Sequence, residues 1–238
     1  MKQGHTMASS ESSFNPNLIP FDDTYILYDS QDPLSFLSAY FSLIPIAVLI
    51  FQLSWFITTR EFEACIMAAG QVANEIFNNI VKAIVKQPRP MSFGESFQNA
   101  TMRSGYGMPS AHSQFMGFFC MYTSLRYCLR WKGLTRRKRL LGIMVVTTLA
   151  TCVCFSRVYL QYHTPGQVLV GFAVGLCTGS TYFLIVGLLR ELKVIDWVLT
   201  WRIAQWLYVK DSCNLAPITI REEYIQYQQR LKKKRRVY

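Results

Sequence analysis

The fold is decided by the stretch SRVYLQYH at residues 156–163. This short polar stretch joins two apolar segments, Leu140–Val158 and Val168–Leu189. Each segment is long enough to cross a hydrocarbon layer of about 30 Å as a helix. Arg157 and His163 therefore lie where the chain turns back at a membrane surface, and we expect other functional groups to share that surface.

The composition is that of an integral membrane protein rather than a soluble basic protein. Hydrophobic residues make up 51% of the 238 residues and charged residues only 16%, and long apolar runs alternate with basic clusters. The formal net charge of +11 could indicate a nucleic-acid partner. Because the cations flank apolar segments, where they face anionic lipid, we expect membrane lipids as partners and no nucleic acid. The seven cysteines include no Cys-x-x-Cys pair and support neither a disulfide framework nor a zinc site.

Three further segments complete the prediction of an all-α, polytopic membrane helix bundle. They are Leu34–Thr59, Phe62–Lys86 and Ser110–Tyr127, which gives about five transmembrane helices. The segment Leu192–Val209 contains three tryptophans as well as charged residues, so we predict an interfacial helix there. It could also be a sixth span, and a range of about four to six helices remains open.

The distribution of basic residues predicts the orientation of the bundle. Residues 126–139 contain seven Lys or Arg and no acid, and the chain ends in another basic run. By the positive-inside rule both face the cytoplasm, and the loops 87–109 and 159–167 then face the opposite side, the lumen of an internal membrane. We therefore divide the chain into a luminal tail (1–33), a transmembrane core (34–189, with its motifs at 82–167) and an interfacial helix with a basic cytoplasmic tail (190–238).

Two spacing patterns predict how the helices pack. Polar residues in Phe62–Lys86 recur at spacings of three, four and seven, which puts them on one helix face that must point into the bundle. That face is either a seam that joins helices or a support that positions Lys82 beside a site. Three glycines in Val168–Leu189 recur every four residues, which permits close packing against a neighbour. The residues are Gln71, Glu75, Asn78, Asn79, Lys82 and Lys86 on the first helix, and Gly171, Gly175 and Gly179 on the second.

Cations and hydrogen-bond donors gather on the predicted luminal face, as a phosphate group requires. Lys82 and Arg89 lie at the end of the second span, and Arg157 ends the fourth. Arginine can bind two phosphate oxygens at once. Ser110 stands where the third span begins, so its hydroxyl and the nearby N–H groups of the helix end would face an anion. Together these residues predict a phosphate-binding site.

Two histidines on the same face indicate how a phosphate ester or anhydride would be cleaved. His112 lies two residues after Ser110, and His163 lies six residues after Arg157. One imidazole could attack phosphorus while the other protonates the leaving oxygen. The loop between the second and third spans has a single carboxylate, Glu95, so it offers no cluster of ligands for Mg²⁺. We therefore expect a metal-independent reaction that needs no cofactor.

Three linked motifs resemble the signature of the type-2 phosphatidic acid phosphatase superfamily. Beyond the motifs, the chain is similar to the branch of that superfamily that acts on dolichyl diphosphate, including the stretches at 20–23 and 106–114. The resemblance implies hydrolysis of this polyprenyl diphosphate lipid to dolichyl phosphate and inorganic phosphate. It places the reaction at the luminal side of the endoplasmic reticulum membrane, where it recycles the lipid carrier for protein N-glycosylation. The motifs are Lys82-x6-Arg89-Pro90, Pro109-Ser110-Ala111-His112 and Ser156-Arg157-x5-His163, in that order.

The resemblance also implies a role for each residue of the site. His163 would be the nucleophile that forms a phosphohistidine, and His112 would protonate the leaving group. The phosphoryl oxygens would be held by Lys82, Arg89, Ser110 and Arg157.

The chain departs from the pattern of the family at two positions. Ala111 stands where the motif often has Gly, a small change that still lets the backbone approach phosphate. Gln167 stands where the superfamily usually has an Asp that orients the nucleophile. The amide oxygen of Gln167 can accept the N–H of the ring and fix its tautomer, but it cannot stabilise a positive charge as a carboxylate would.

Two alternative functions remain open. A broader lipid phosphate or sphingoid-base phosphate phosphatase would use the same motifs, because they bind the phosphate and not the lipid chain. A membrane transporter or a scaffold would also be polytopic, although the two halves of the chain show no inverted repeat. A scaffold would not need two histidines and three cations on one face.

Overall fold

The computed structural model describes residues 26, 28–29, 31–90, 106–131, 133–213 and 220–235. In these ranges the regular structure is helical, apart from one isolated bridge between Glu61 and Lys210. This confirms the predicted all-α class. Most of the predicted luminal tail and most of the loop 87–109, including Glu95, lie outside the described residues.

Within those ranges the chain forms nine α-helices and one π-helical turn, Arg126–Arg130. The predicted spans agree with helices to within a few residues, except that the first span is divided in two. The helices are α1 (Pro33–Ser42), α2 (Ile44–Thr59), α3 (Phe62–Val85), α4 (Ala111–Leu125), α5 (Arg136–Tyr159), α6 (Pro165–Glu191), α7 (Val194–Leu199), α8 (Arg202–Trp206) and α9 (Ile220–Arg235).

The beginning of α1 and its break from α2 follow from local chemistry. The carboxylate of Asp32 accepts the N–H of Leu34 at 2.9 Å, and Pro33 occupies the first helical position, where a missing N–H costs nothing. The break falls at Leu43, and Pro45 lies in the first turn of α2. Proline fits a first turn but cannot continue the hydrogen bonds of a preceding helix. The proline of the predicted first span therefore marks a junction between two helices.

Three helical stretches of the described residues are long and apolar enough to cross a membrane, namely Pro33–Thr59, Arg136–Tyr159 and Pro165–Glu191. The chain is therefore a membrane protein. α3 is 24 residues long but carries buried polar side chains, and α4 has only 15 residues. The predicted number of about five spans stays a prediction.

The core of the bundle is built around α4, which packs against α6, α5 and α3. Met116, Phe118 and Tyr122 are buried along α4, and Ala150 and Val153 of α5 pack into the same cluster. A helix enclosed in this way contacts protein rather than lipid along most of its length, so its position is set by its neighbours. This matters for function because His112 lies in the first turn of α4.

The close packing predicted from the glycines of α6 is confirmed. A Cβ at Gly171 would lie 2.6 Å from the carbonyl oxygen of Ser110, and a Cβ at Gly175 would lie 2.2 Å from that of Gln114. Gly179 likewise faces the backbone of α4. Because the contacts join backbone to backbone, the two helices approach more closely than side chains would allow. The N-termini of α4 and α6 are thereby held side by side.

The polar face of α3 is a seam between α3 and α4. Asn78 donates to Oε1 of Gln114 at 2.8 Å, Gln114 donates to Oδ1 of Asn74 at 2.9 Å, and all three are buried. The predicted face omits Asn74 and includes Glu75 and Asn79, which are exposed. Since the asparagine hydrogen bonds go to α4, they favour the seam over a support for the lysine at the end of α3.

Buried charges hold together the end of the bundle that lies opposite to the N-termini of α4 and α6. Glu63, at the start of α3, is 1% exposed and forms ion pairs with Arg126 at 2.7 Å and with Arg190. Arg190 also pairs with Asp211 at 3.0 Å. Two arginines and two carboxylates compensate one another, as charges removed from water must. The predicted interfacial segment Leu192–Val209 lies beside this cluster and forms two short helices, α7 and α8, rather than one.

Candidate active site

The N-terminus of α4 presents Ser110, Ala111 and His112 at one end of the bundle. Ser110 is the N-cap and is fully buried, and its hydroxyl oxygen accepts a hydrogen bond from Ser113 at 3.1 Å. Ala111 begins the helix, and His112 is half-buried in its first turn. The first N–H groups of a helix have no partner within it and attract anions. This end of α4 can therefore bind a phosphoryl group.

The last turn of α5 carries Arg157, and the turn that follows the helix carries His163. The backbone N–H groups of Tyr162 and His163 donate to the carbonyl oxygen of Arg157, at 3.0 and 3.1 Å. Gln161 has a φ of 57°, in the left-handed region, which turns the chain back on itself. The guanidinium of Arg157 lies over the ring of Tyr162, 4.0 Å from its centroid. The turn thus fixes the cation and the imidazole relative to one another, and each is only 4% exposed.

Gln167 holds His163 in one tautomer. The Oε1 atom of Gln167 lies 3.2 Å from Nδ1 of His163 and accepts the N–H of Thr164 at 3.3 Å. Its Nε2 donates to the carbonyl oxygen of Pro88 at 2.8 Å, which fixes the orientation of the amide. Because an amide oxygen can only accept, Nδ1 carries the proton and Nε2 of His163 carries the lone pair.

The same glutamine joins the three motifs, which lie far apart in the sequence. The side chain of Gln167 is bonded to Pro88, and its backbone carbonyl oxygen accepts the backbone N–H of Ser110 at 3.2 Å. Gly107 donates to the carbonyl oxygen of Gln87 at 2.7 Å, and a Cβ at Gly107 would lie 2.7 Å from Nε2 of Gln167. The ends of α3, α4 and α5 therefore meet around one side chain that is 1% exposed.

Cationic groups surround the two histidines. The pKa of His163 lies well below its usual value, first because the ring is buried and then because Arg157 and Arg89 are nearby, with Lys82 acting in the same direction. His112 lies within the electric field of the same three cations and of His163. Lys82 lies in the last turn of α3 and Arg89 lies four residues beyond this helix, and both are half-buried. The site therefore disfavours further positive charge and favours an anion.

Three contributors to the site are absent from the predicted set. Thr164 forms a capping box with Gln167, and the spacing Thr-x-x-Gln before an apolar run is a signal that the sequence carries. The second contributor is Tyr162, which stacks on Arg157. The third is Ser42 of α1, whose hydroxyl oxygen lies 3.3 Å from Nη1 of Arg157. No spacing rule relates two residues 115 positions apart, so only the packing of α1 against α5 reveals this contact.

One group of potential metal ligands, Glu63, Asp211 and Cys213, lies at the other end of the bundle. Both of its carboxylates are already paired with arginines. That chemistry favours an ion-pair cluster over a metal site. Within the part of the chain that the structure describes, neither His112 nor His163 belongs to such a group.

Known proteins resemble this chain over the same region. Residues 63–191 match the model of the PAP2 superfamily. A dolichyldiphosphatase of Saccharomyces cerevisiae is 63% identical over 217 residues, which cover 91% of each chain. The lipid phosphate phosphatase gamma of Arabidopsis thaliana is 34% identical over 84% of this chain and 87% of its own. Among solved structures, a PAP2 type phosphatidylglycerolphosphate phosphatase from Bacillus subtilis matches 67% of this chain and 75% of its own, with a TM-score of 0.47 and 25% identity.

Proposed function

Because the chain belongs to the PAP2 superfamily, we propose that it hydrolyses dolichyl diphosphate to dolichyl phosphate and inorganic phosphate. One observation carries the proposal: a buried imidazole is locked with its lone pair on Nε2 and is surrounded by cations. The substrate is supported by the 63% identity to a dolichyldiphosphatase. The chain is thus an enzyme of the phosphatase class.

The reaction begins with attack on the terminal phosphorus. Nε2 of His163 forms a bond to that phosphorus, and the bond to the bridging oxygen breaks, which gives a phosphohistidine and dolichyl phosphate. His112 enters this step protonated, because the negative charge of the bound diphosphate offsets the positive charge that the empty site disfavours. It donates that proton to the leaving oxygen and then takes one from the water that hydrolyses the phosphohistidine. Inorganic phosphate leaves, and both histidines return to their first protonation state.

The remaining residues stabilise negative charge. Lys82, Arg89 and Arg157 place three positive charges around the phosphoryl group, and the N-terminus of α4 at Ser110 and Ala111 adds N–H donors. Groups fixed in advance by burial need no reorganisation when charge develops, which makes them effective in the transition state. These cations take the part that a metal ion has in many other phosphatases, so the mechanism has no step through a metal or a cofactor.

Gln167 has one role that an Asp would share and one that it would not. It fixes the tautomer of His163 through its oxygen and joins the motifs through its nitrogen, which donates to Pro88. A carboxylate could accept from the ring but could not donate to that carbonyl oxygen. With three cations beside it, His163 can have a neutral hydrogen-bond partner, because the phosphoryl group that approaches the ring is itself negative.

The proposal places the enzyme in the endoplasmic reticulum membrane with its site in the lumen and its C-terminus in the cytoplasm. The basic residues 126–139 begin at the end of α4 opposite to His112, and Arg126 lies in the cluster with Glu63. Basic segments stay on the cytoplasmic side, so the other end, with His163, faces the lumen. There the enzyme would recycle the lipid carrier for protein N-glycosylation.

The second candidate is a broader lipid phosphate phosphatase. It is favoured by the 34% identity to the lipid phosphate phosphatase gamma of Arabidopsis thaliana and by motifs that bind only the phosphate. Turnover of dolichyl diphosphate and of phosphatidate by the purified chain separates the two. A preference for dolichyl diphosphate is expected, equal or faster turnover of phosphatidate supports the broader enzyme, and no phosphate release from either supports a transporter or scaffold.

A trapping experiment tests the mechanism. Dolichyl diphosphate labelled in its terminal phosphate should give an acid-labile, base-stable label on the protein, as a phosphohistidine does. His163→Ala should remove both the label and phosphate release, whereas Cys177→Ala, at an exposed position of α6, should keep both. Undiminished phosphate release by His163→Ala would refute the assignment of the nucleophile.

A further inference from the structure

The first of the described helices, α1, contacts the site from outside the region that matches the family. α1 spans Pro33–Ser42, whereas the family match covers residues 63–191. α1 packs against α5, whose last turn carries Arg157 and which leads into the turn with His163. The last residue of α1, Ser42, is 1% exposed and lies beside Arg157.

A chain of hydrogen bonds defines what the hydroxyl of Ser42 does. The hydroxyl of Ser156 donates a hydrogen bond to the carbonyl oxygen of Val153 at 2.7 Å, so its proton is not available to Ser42. Ser42 therefore donates its own proton, either to Oγ of Ser156 at 3.1 Å or to the carbonyl oxygen of Ser38 at 3.2 Å. Its oxygen is left to accept from Nη1 of Arg157 at 3.3 Å, because a guanidinium has donors only.

The guanidinium of Arg157 is thus held on two sides. Ser42 accepts from Nη1, and the ring of Tyr162 lies 4.0 Å below the guanidinium carbon. A flat group with a stacked face and one fixed donor has little freedom to rotate. Arginine binds two phosphoryl oxygens only when the plane of its guanidinium group and two of its N–H donors are oriented toward them.

A second contact holds α1 in register with the end of α5. Asp32, which caps α1, also accepts the hydroxyl of Tyr159 at 2.6 Å. α1 is therefore joined to α5 both at its first turn and at its last residue. This arrangement keeps Ser42 opposite Arg157.

We propose that Ser42 is a positioning residue, which orients Arg157 for the substrate phosphate and so makes α1 part of the working site. The proposal rests on the function proposed above, in which Arg157 binds the phosphoryl oxygens. It gives a role to a helix that lies outside the three motifs.

The chain provides a matched control one helical turn earlier. Ser38 lies on the same helix and is fully buried, and its hydroxyl has no hydrogen-bond partner among the described residues. Ser42→Ala and Ser38→Ala therefore remove the same atom from buried positions on the same helix. Only Ser42→Ala removes a contact with Arg157.

The test compares these variants in the purified full-length chain. Ser42→Ala should lower kcat/KM for dolichyl diphosphate about tenfold, the size expected when a hydrogen bond to a charged group is lost. It should also weaken inhibition by orthovanadate, a phosphate mimic, by a similar factor. Ser38→Ala should change neither. Ser42→Ala also loses its hydrogen bonds to Ser156 and Arg157, so its Tm should be the lower of the two.

A double-mutant cycle separates positioning from general packing. If Ser42 acts through Arg157, then Ser42→Ala should have almost no further effect in an Arg157→Lys background. An equal loss in both backgrounds, or equal activity of Ser42→Ala and Ser38→Ala, would overturn the proposal.

The orthovanadate measurement keeps this test separate from the proposed substrate. Bound orthovanadate should raise the Tm of the wild type and of Ser38→Ala more than that of Ser42→Ala. If the wild type releases no phosphate from dolichyl diphosphate, the proposed function fails, but the difference in stabilisation by orthovanadate still decides the role of Ser42.

Discussion

The contact between α4 and α6 allows a sharp prediction, because it has no room for a single methyl group. A Cβ at Gly175 would lie 2.2 Å from the carbonyl oxygen of Gln114 and 2.8 Å from the amide nitrogen of Phe118. Both are backbone atoms of α4, so neither can rotate away. Ordinary contacts begin near 3.5 Å, and Gly175→Ala must therefore push the helices apart by about 1 Å.

We expect this substitution to cost stability and activity together. Overpacking of this kind costs about 1–3 kcal/mol, which corresponds to a fall in Tm of roughly 2–4 °C for each kcal/mol in a chain of this size. α4 carries His112, and α6 begins with the turn that carries Gln167, the partner of His163. A displacement of about 1 Å between catalytic groups can lower kcat by about a hundredfold.

Gly187→Ala is the control, because it makes the same change on the same helix. A Cβ at Gly187 would meet only Nη2 of Arg130 at 2.8 Å, the far end of a flexible side chain that can move aside. Any gain in helix propensity is shared by the two variants and cancels in the comparison. Thermal unfolding in detergent and release of phosphate from dolichyl diphosphate measure the two effects. Equal Tm and kcat values for Gly175→Ala and Gly187→Ala would refute the reasoning.

Further predictions concern pH, the buried ion pairs and metal ions. The lowered pKa of His163 keeps the ring neutral, so kcat/KM should stay high until the pH falls below the ordinary value of about 6.5. Gln167→Glu adds a negative charge that raises the pKa of His163. If the fall of kcat/KM at low pH did not move to higher pH in this variant, the pairing of residue 167 with His163 would be contradicted. Glu63→Gln removes the buried carboxylate that pairs with both Arg126 and Arg190, and it should cost about 3–5 kcal/mol in thermal unfolding. By contrast, Lys210→Met breaks the pair of Glu61 with a largely exposed lysine and leaves the hydrogen bonds of Glu61 to Ser212 in place, so it should cost about 1 kcal/mol or less. Phosphate release should persist in EDTA, and rescue by Mg²⁺ alone would contradict the metal-free mechanism.

The hydrogen bonds of Gln167 change how its departure from the usual Asp is understood. The sequence presents it as a possible weakness in the activation of His163. In the structure its oxygen accepts from the ring and from Thr164, and its nitrogen donates to Pro88. An amide is suited to this place because it offers an acceptor and a donor on one rigid group. The same residue therefore sets the tautomer and joins the motifs.

Composition and spacing by themselves determined the class of the protein. Long apolar segments predict membrane helices, since in lipid the backbone can form hydrogen bonds only with itself. Glycines at every fourth position predict that α6 packs closely against a neighbouring helix, and the contacts of Gly171 and Gly175 confirm this. The motif residues were predicted because phosphate chemistry restricts the residue types and because their order and spacing resemble the signature of the family. These are local properties, and a sequence records local properties directly.

Only the tertiary structure decided which distant residues meet. The seam of α3 uses Asn74 and Asn78, whereas Glu75 and Asn79 face outward, because the direction of each side chain depends on where α4 lies. The contact of Ser42 with Arg157 joins residues 115 positions apart. Helical periodicity places residues on the faces of one helix, but it carries no information on which face of another helix they will contact. That pairing follows from the packing of the whole bundle, where close contacts and buried hydrogen bonds must be satisfied together.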